Sequence, residues 1–477
     1  MRVRKTLLRN WTYRSQHNTR KEDMAQTIFK NNLIAATLAV VALTGIAWAE
    51  EPTTDEMATM IEQLQNEVAE LKAADSGSPA NADEKWTKTF GKVDIHGYVS
   101  QGYLQTSDNN YLYSDTEDGS FQFNEAAINV YTEITPKLSV GIQLFARDLG
   151  AVGNNAIQLD YAFGDYRFDD AFGLRAGRIR IPWGLYGDIR DIDMARTNIL
   201  MPQSVYSETQ RDVAYGMNGF GVYGHFPLGS GGIEYQAQVG SNTIDDNNTA
   251  IGWISFGNAY TEPDWTSDHG TIITGRLIWD TPLNGFRVGG SYFTLDEVTF
   301  TSKTTNDETM VNVFGIPAGS DYSMVLTDVV WWTGFAEYAT GDLVLAAEYV
   351  AFENTLEDTI WAAAYGIPKL TTPGDGYYLS GRYRFTDLFE LGAYYSRYWS
   401  NKNDRKGEGN AAYGTPDYNA WSNDLALSLR FDVYEGLIWK VEGHYMDGTA
   451  NLYANVTDTA TAEKNWYLFA TKLSFTF

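Results

Sequence analysis

The sequence predicts an all-β protein: a 16-stranded antiparallel transmembrane β-barrel behind a short N-terminal coiled-coil helix. Three observations carry that expectation. Aromatic residues make up 14% of the 477, with 31 Tyr, 23 Phe and 14 Trp, and there are 44 Gly against 12 Pro. A mean hydropathy of −0.32 excludes a bundle of membrane helices, yet this composition suits a membrane surface alternating with a polar interior. From about residue 90 the apolar period becomes two and stays two to the end. Short turns and long polar loops then alternate strictly, which a soluble sandwich has no reason to do.

Composition also removes whole classes of function. Cysteine is absent and there are five His, so disulfide scaffolds, thiol catalysis, Cys-ligated zinc and iron–sulfur sites are excluded. A formal charge of −26 argues against a nucleic-acid partner, which would require a basic footprint.

The chain opens on a leader, residues 1–49. The apolar run LIAATLAVVALTGIA (33–47) follows Lys30 and ends at Ala47-Trp48-Ala49, an A-x-A cleavage site. The run is short for a span, so it reads as a secretory signal peptide, with Met24 as the expected true start. Removing residues 1–49 takes away eight Lys/Arg and two Asp/Glu, leaving a mature charge of −32.

Residues 50–73 carry Met57, Ile61, Leu64, Val68 and Leu71 at a 4-3-4-3 spacing, an a/d seam that predicts a short coiled coil, placed in the periplasm. β-Branched a positions with Leu at d lean towards a dimer. Residues 74–89 follow as a polar linker, and the barrel occupies 90–477.

Strands are expected near 92–106, 121–134, 138–148, 156–167, 172–182, 213–226, 233–243 and 271–280. The second half adds 286–296, 328–339, 343–353, 376–385, 389–399, 421–433, 437–446 and 464–477. The last is clearest: Phe469, Thr471, Leu473, Phe475 and Phe477 share one face, and Ala470, Lys472, Ser474 and Thr476 the other. Seven short turns and eight long loops leave both ends of the chain on one side of the barrel.

The third long loop, with the strand before it, holds the candidate site. Arg175, Arg178 and Arg180 cannot all share one parity, which predicts a bulge near Gly177. Pro182 ends the strand and Trp183-Gly184 begins the turn. The loop then sets Asp188, Asp191 and Asp193 beside Arg190 and Arg196.

Here the chain resembles the bacterial outer-membrane porin superfamily. The stretch Gly-Arg-x-x-x-Pro-Trp-Gly-Leu-Tyr is similar to the corresponding segment of phosphate-selective-type porins, and the aromatic ending at Phe477 resembles the terminal strand of outer-membrane barrels. The resemblance implies a third loop folded into the lumen, outer-membrane lipid around the wall, a homotrimer, and assembly by the barrel-assembly machinery through Phe477. It would set the loop acids against wall residues such as Arg175, Arg178, Arg180, Arg382, Arg384 and Arg430, with Glu442 and Lys472 also on the pore wall. Charged rings or patches set selectivity in pores.

The loop carries at least as many acids as bases, which departs from the uninterrupted cationic path a phosphate pore requires. The function expected is passive diffusion of ions and small hydrophilic solutes, with weak cation preference from acidic outer loops such as 107–118 and 244–268. Two alternatives stand beside it: a channel specific for an oligosaccharide or an oxyanion, and a non-conducting structural or adhesive barrel. No motif orients a Ser–His pair around His96, His225 or His444, so no enzyme is expected. Asp115 to Asp118 and Asp245-Asp246 lack calcium-loop spacing, and neither metal nor cofactor is implied.

Overall fold

The computed structural model describes residues 93–477 except 113–114, 150–152, 209, 212–214, 243–265, 269, 306–314, 359–365, 367–368, 413 and 453–456. The expected signal peptide, coiled coil and linker lie outside the described residues.

Alternating sequence becomes strand throughout. The segments are β1 (Val93–Thr106), β2 (Asn124–Thr135), β3 (Leu138–Asp148), β4 (Gln158–Arg167), β5 (Gly173–Arg180) and β6 (Gly216–Leu228). Next come β7 (Gly231–Asn242), β8 (Thr266–Ser267), β9 (Gly270–Asp280), β10 (Phe286–Leu295), β11 (Val298–Lys303) and β12 (Asp321–Thr340). The remainder are β13 (Leu343–Asp358), β14 (Lys369–Arg384), β15 (Phe389–Trp399), β16 (Trp421–Tyr434), β17 (Leu437–Gly448) and β18 (Asn465–Thr476).

Strands pair antiparallel in chain order, β7 with β9 and β10 with β12 across the short β8 and β11, which pair with each other. β1 pairs with β18 from Tyr98↔Thr476 to Thr106↔Leu468. That last ladder closes the sheet. Because β8 and β11 merely prolong β9 and β10, the eighteen segments make a closed barrel of sixteen strands. Closure leaves no unpaired edge, the condition for crossing a bilayer with strands.

The two faces are those expected. On β18, Tyr467, Phe469, Leu473 and Phe475 are exposed, while Trp466, Leu468, Ala470, Lys472 and Ser474 are buried inward. Outward rings form a continuous row at the turn end, where Phe385–Phe389, Phe389–Phe431 and Phe431–Trp439 have centroids 5.7, 5.3 and 5.2 Å apart. A second group stands at the loop end, with Trp332 beside Tyr349 and Tyr377 beside Tyr395 and Trp399. Two aromatic girdles around an apolar band mark a transmembrane β-barrel.

Two departures from the sequence reading have physical causes. β12 and β14 begin seven residues earlier than expected and β13 runs five further. Their added rungs include polar Thr355↔Thr371, joined hydroxyl to hydroxyl at 2.9 Å; such Thr runs read as loop, although Thr suits strands. The bulge lies in β4 instead of β5. Gln143 faces Tyr161 and Leu144 faces Leu159, so Asp160 is the extra residue, while β4 and β5 pair without a shift. Gly177 keeps its ladder only because it is glycine: at φ +125° a Cβ would sit 2.3 Å from the Ala162 carbonyl oxygen.

Candidate pore constriction

The described residues of 181–215 leave β5 at one wall and fold inward instead of projecting from the mouth. Pro182 ends the pairing by removing a backbone donor. The chain then turns at Gly184, with φ +60° and no room for a side chain against the Tyr206 hydroxyl and Glu348. Apolar residues bind the loop to the β9–β14 side. Ile181, Trp183, Met201, Val205 and Tyr206 pack with inward-facing Ile272, Phe293, Trp331, Val350 and Tyr378. Here the wall is apolar on both faces, which strict alternation did not lead one to expect.

Polar contacts fix the loop to the rest of the wall. Glu348 of β13 accepts from the Tyr206 and Tyr378 hydroxyls, both at 2.5 Å, and from the Leu185 amide at 3.0 Å. Tyr186 donates to Glu337 on β12 at 2.5 Å. On the opposite side, Glu442 of β17 accepts from the Ile199 and Leu200 amides at 2.7 and 2.8 Å. Ser428 and His444 hold the same carboxylate at 2.5 and 3.0 Å.

The loop acids are separated by environment. Asp193 is buried, 2.8 Å from Lys472, 3.5 Å from Lys440 and 3.1 Å from Arg196, and accepts from Ser474 at 2.6 Å. Asp191 is buried against Arg211, which also bonds Asp160 at 3.0 Å. Glu208 lies between Arg190 at 3.0 Å and Arg147 at 2.7 Å. Burial alone would push these three carboxyls up, but the cations beside them outweigh it: Arg211 and Arg190 for Asp191, Lys440, Lys472 and Arg196 for Asp193, and Arg190 and Arg147 for Glu208. All three are held below the ordinary carboxylate range. Asp188 differs: its side chain is 40% exposed and bonds Arg276 of β9 at 2.5 Å.

The arginines take partners of their own. Arg180 donates to the Asp188 carbonyl at 2.6 Å and to Gln143 at 2.9 Å, and Arg178 to the Leu159 carbonyl at 2.7 Å. Arg175 pairs with Asp165 at 2.8 Å. Arg382 and Arg384 both pair with Glu390, at 3.6 and 3.2 Å, and Arg384 also with Asp432 at 2.6 Å. Arg430 donates to the Met194 and Arg196 carbonyls at 2.8 and 3.2 Å, and Lys472 adds a contact to Glu125.

The structure therefore brings Asp193 to lysines and Asp191 to a loop arginine, while Asp188 meets Arg276 of β9 through its carboxylate and Arg180 of β5 through its carbonyl. Glu348, Lys440 and Arg211 do the most anchoring and were not singled out as site residues. Their signal was present: each is a charge at an inward position or within the loop itself. Alternation shows which face a residue lies on and gives no partner across the lumen.

Among the described residues no group of three or more His, Asp or Glu is placed to hold a metal ion. No family model matches the chain, and no curated protein matches it. Solved structures do resemble it. A loop L8 deletion mutant of OmpT, an outer membrane protein of Vibrio cholerae, aligns at TM-score 0.48 and 12% identity, over 81% of this chain and 99% of that one. Salmonella typhi OmpF, solved with daunomycin, aligns at TM-score 0.48 and 13% identity over 82% and 99%. The outer membrane channel DcaP of Acinetobacter baumannii gives TM-score 0.45 and 10% identity over 80% and 97%.

Proposed function

We propose that this chain is an outer-membrane porin, passing ions and small hydrophilic solutes by diffusion around a loop fixed inside the lumen. The observation that carries the reading is the described part of the loop, residues 181–208, held within a closed, lipid-facing barrel by wall carboxylates, tyrosines and lysines. A narrowed lumen sets size and charge limits without chemistry.

Selectivity follows from which charges remain in contact with water. Asp191 and Asp193 are neutralised by buried cations, so they contribute little. Asp188 and Glu234, 40% and 45% exposed, stand beside Arg276, and Arg287 of β10 and Arg382 of β14 are each 35% exposed. Acidic outer loops add a cation bias that salt screens within about 8 Å. We expect weak cation preference that fades as salt rises, and that grows when Arg178 and Arg180 are replaced by Gln. The assembly expected is a homotrimer, which native mass spectrometry in detergent reads directly.

Planar-bilayer recording of the purified chain tests the reading. Steady conductance without saturable block by sugars or phosphate supports general diffusion. Absence of any conductance refutes the porin function, and block by micromolar to millimolar solute replaces it with a specific channel.

A further inference from the structure

A trough crosses the outer wall of β15–β18. One row of outward positions reads Ala393↔Leu427↔Gly443↔Phe469 across the four strands, small against large. The next row towards the loop end reads Tyr395↔Leu425↔Tyr445↔Tyr467. Leu425, Leu427 and Tyr467 are more than half exposed, and a Cβ added at Gly443 would meet nothing. The resulting hollow measures about 770 Å³ and is lined mainly by apolar atoms.

Directly above it lies a cationic rim. Trp399 faces Trp421 in register. The guanidiniums of Arg397 and Arg405 lie 4.3 and 4.2 Å from the Trp399 ring, and Lys464 lies 5.4 Å from that of Trp421. Two of these cations are already paired: Arg405 with Asp375, and Lys464 with Asp447 at 3.6 Å. Arg397 makes no ion pair among the described residues, and its buried Nε has no hydrogen-bond partner. A surplus guanidinium at the level of the aromatic girdle, in a chain of net charge −26, calls for an external anion. Four residues separate Ala393 from Arg397, roughly 13 Å of strand, so the anion must be joined to an apolar stem.

We propose that this face binds a phosphorylated lipid of the leaflet at the loop end, its acyl chains in the Ala393–Gly443 trough and its phosphate on Arg397. A planar guanidinium matches phosphate with two parallel hydrogen bonds, and the indole beneath keeps it oriented. The inference needs the barrel to span a membrane and is independent of conduction.

Native mass spectrometry of the full-length protein in detergent tests it, after incubation with diphosphoryl lipid A, its dephosphorylated form, or phosphatidylcholine. Diphosphoryl lipid A should be retained preferentially. Arg397→Gln should weaken that retention about fivefold, Arg397→Lys less, and Gly443→Leu should lower binding of the acylated probe by filling the trough. Bilayer conductance of all three variants should match the parent. Equal retention of the three lipids, or retention untouched by both Arg397→Gln and Gly443→Leu, overturns the site. A change in the number of associated chains, with lipid retention unaltered, would make this face a contact between copies and also overturns it.

Discussion

Single residues carry the geometry that alternation cannot supply. Gly177 sits at φ +125° with a carbonyl oxygen where a Cβ would be. Gly177→Ala should cost about 1–3 kcal/mol and lower the urea midpoint of the refolded barrel, whereas Gly443→Ala, with open space around it, should not. Glu442 presents the opposite case, a buried carboxylate serving two loop amides, a serine and a histidine. Glu442→Ala leaves those donors unpaired and should destabilise by about 3–5 kcal/mol, with added open-channel noise as the loop loosens. Asp188 is the exposed loop acid. Replacing it by Asn leaves Arg276 with Glu234, 3.6 Å away, as its ion-pair partner among the described residues, so reversal potentials should move towards anions. A shift towards cations would place the conducting path elsewhere.

At the scale of elements, the inserted loop is one unit with two kinds of attachment. Trp183, Met201, Val205 and Tyr206 give it an apolar side, and Asp191, Asp193 and Glu208 give it an ionic one. The three carboxyls are held below the ordinary range, so their stabilisation is fully present above the unfolded value of about 4 and is lost as pH falls through the lower folded values. Pepsin should therefore spare residues 187–208 at pH 4 and cleave them at pH 2; cleavage already at pH 4 would show that the pairs contribute little. The loop was legible in part. Pro182-Trp183-Gly184 marked its start, and the acids its charge. The partner of each acid was not, because a strand's period fixes the face of Lys440 or Lys472 but not which residue, hundreds of positions away, arrives opposite. The same limit explains Asp160. The arginines' parity pointed to a bulge in β5, but β5 pairs with β4 and β6 without a shift, and the extra residue lies in β4 against β3, where alternation of Asp160 and Tyr161 gave no warning.

For the whole molecule, the barrel itself was almost completely legible. β3 and β15 have the bounds expected. The apolar lumenal surface of β9–β14 was not, since a strand buried on both faces has no period-two contrast to read. That surface makes the interior a packed core on one side and an ionic lattice on the other.

Closure by the β1–β18 ladder also has a consequence for assembly. β18 brings Lys472 and Ser474, two of the groups that hold Asp193. Until it docks, the wall is open and the acid of residues 181–215 lacks its nearest cation. The ladder that closes the wall thus also supplies part of the loop's ionic attachment, so closing the barrel and fastening Asp193 are one pairing. In a chain truncated before residue 465, loss of closure and loss of loop protection against protease should appear together.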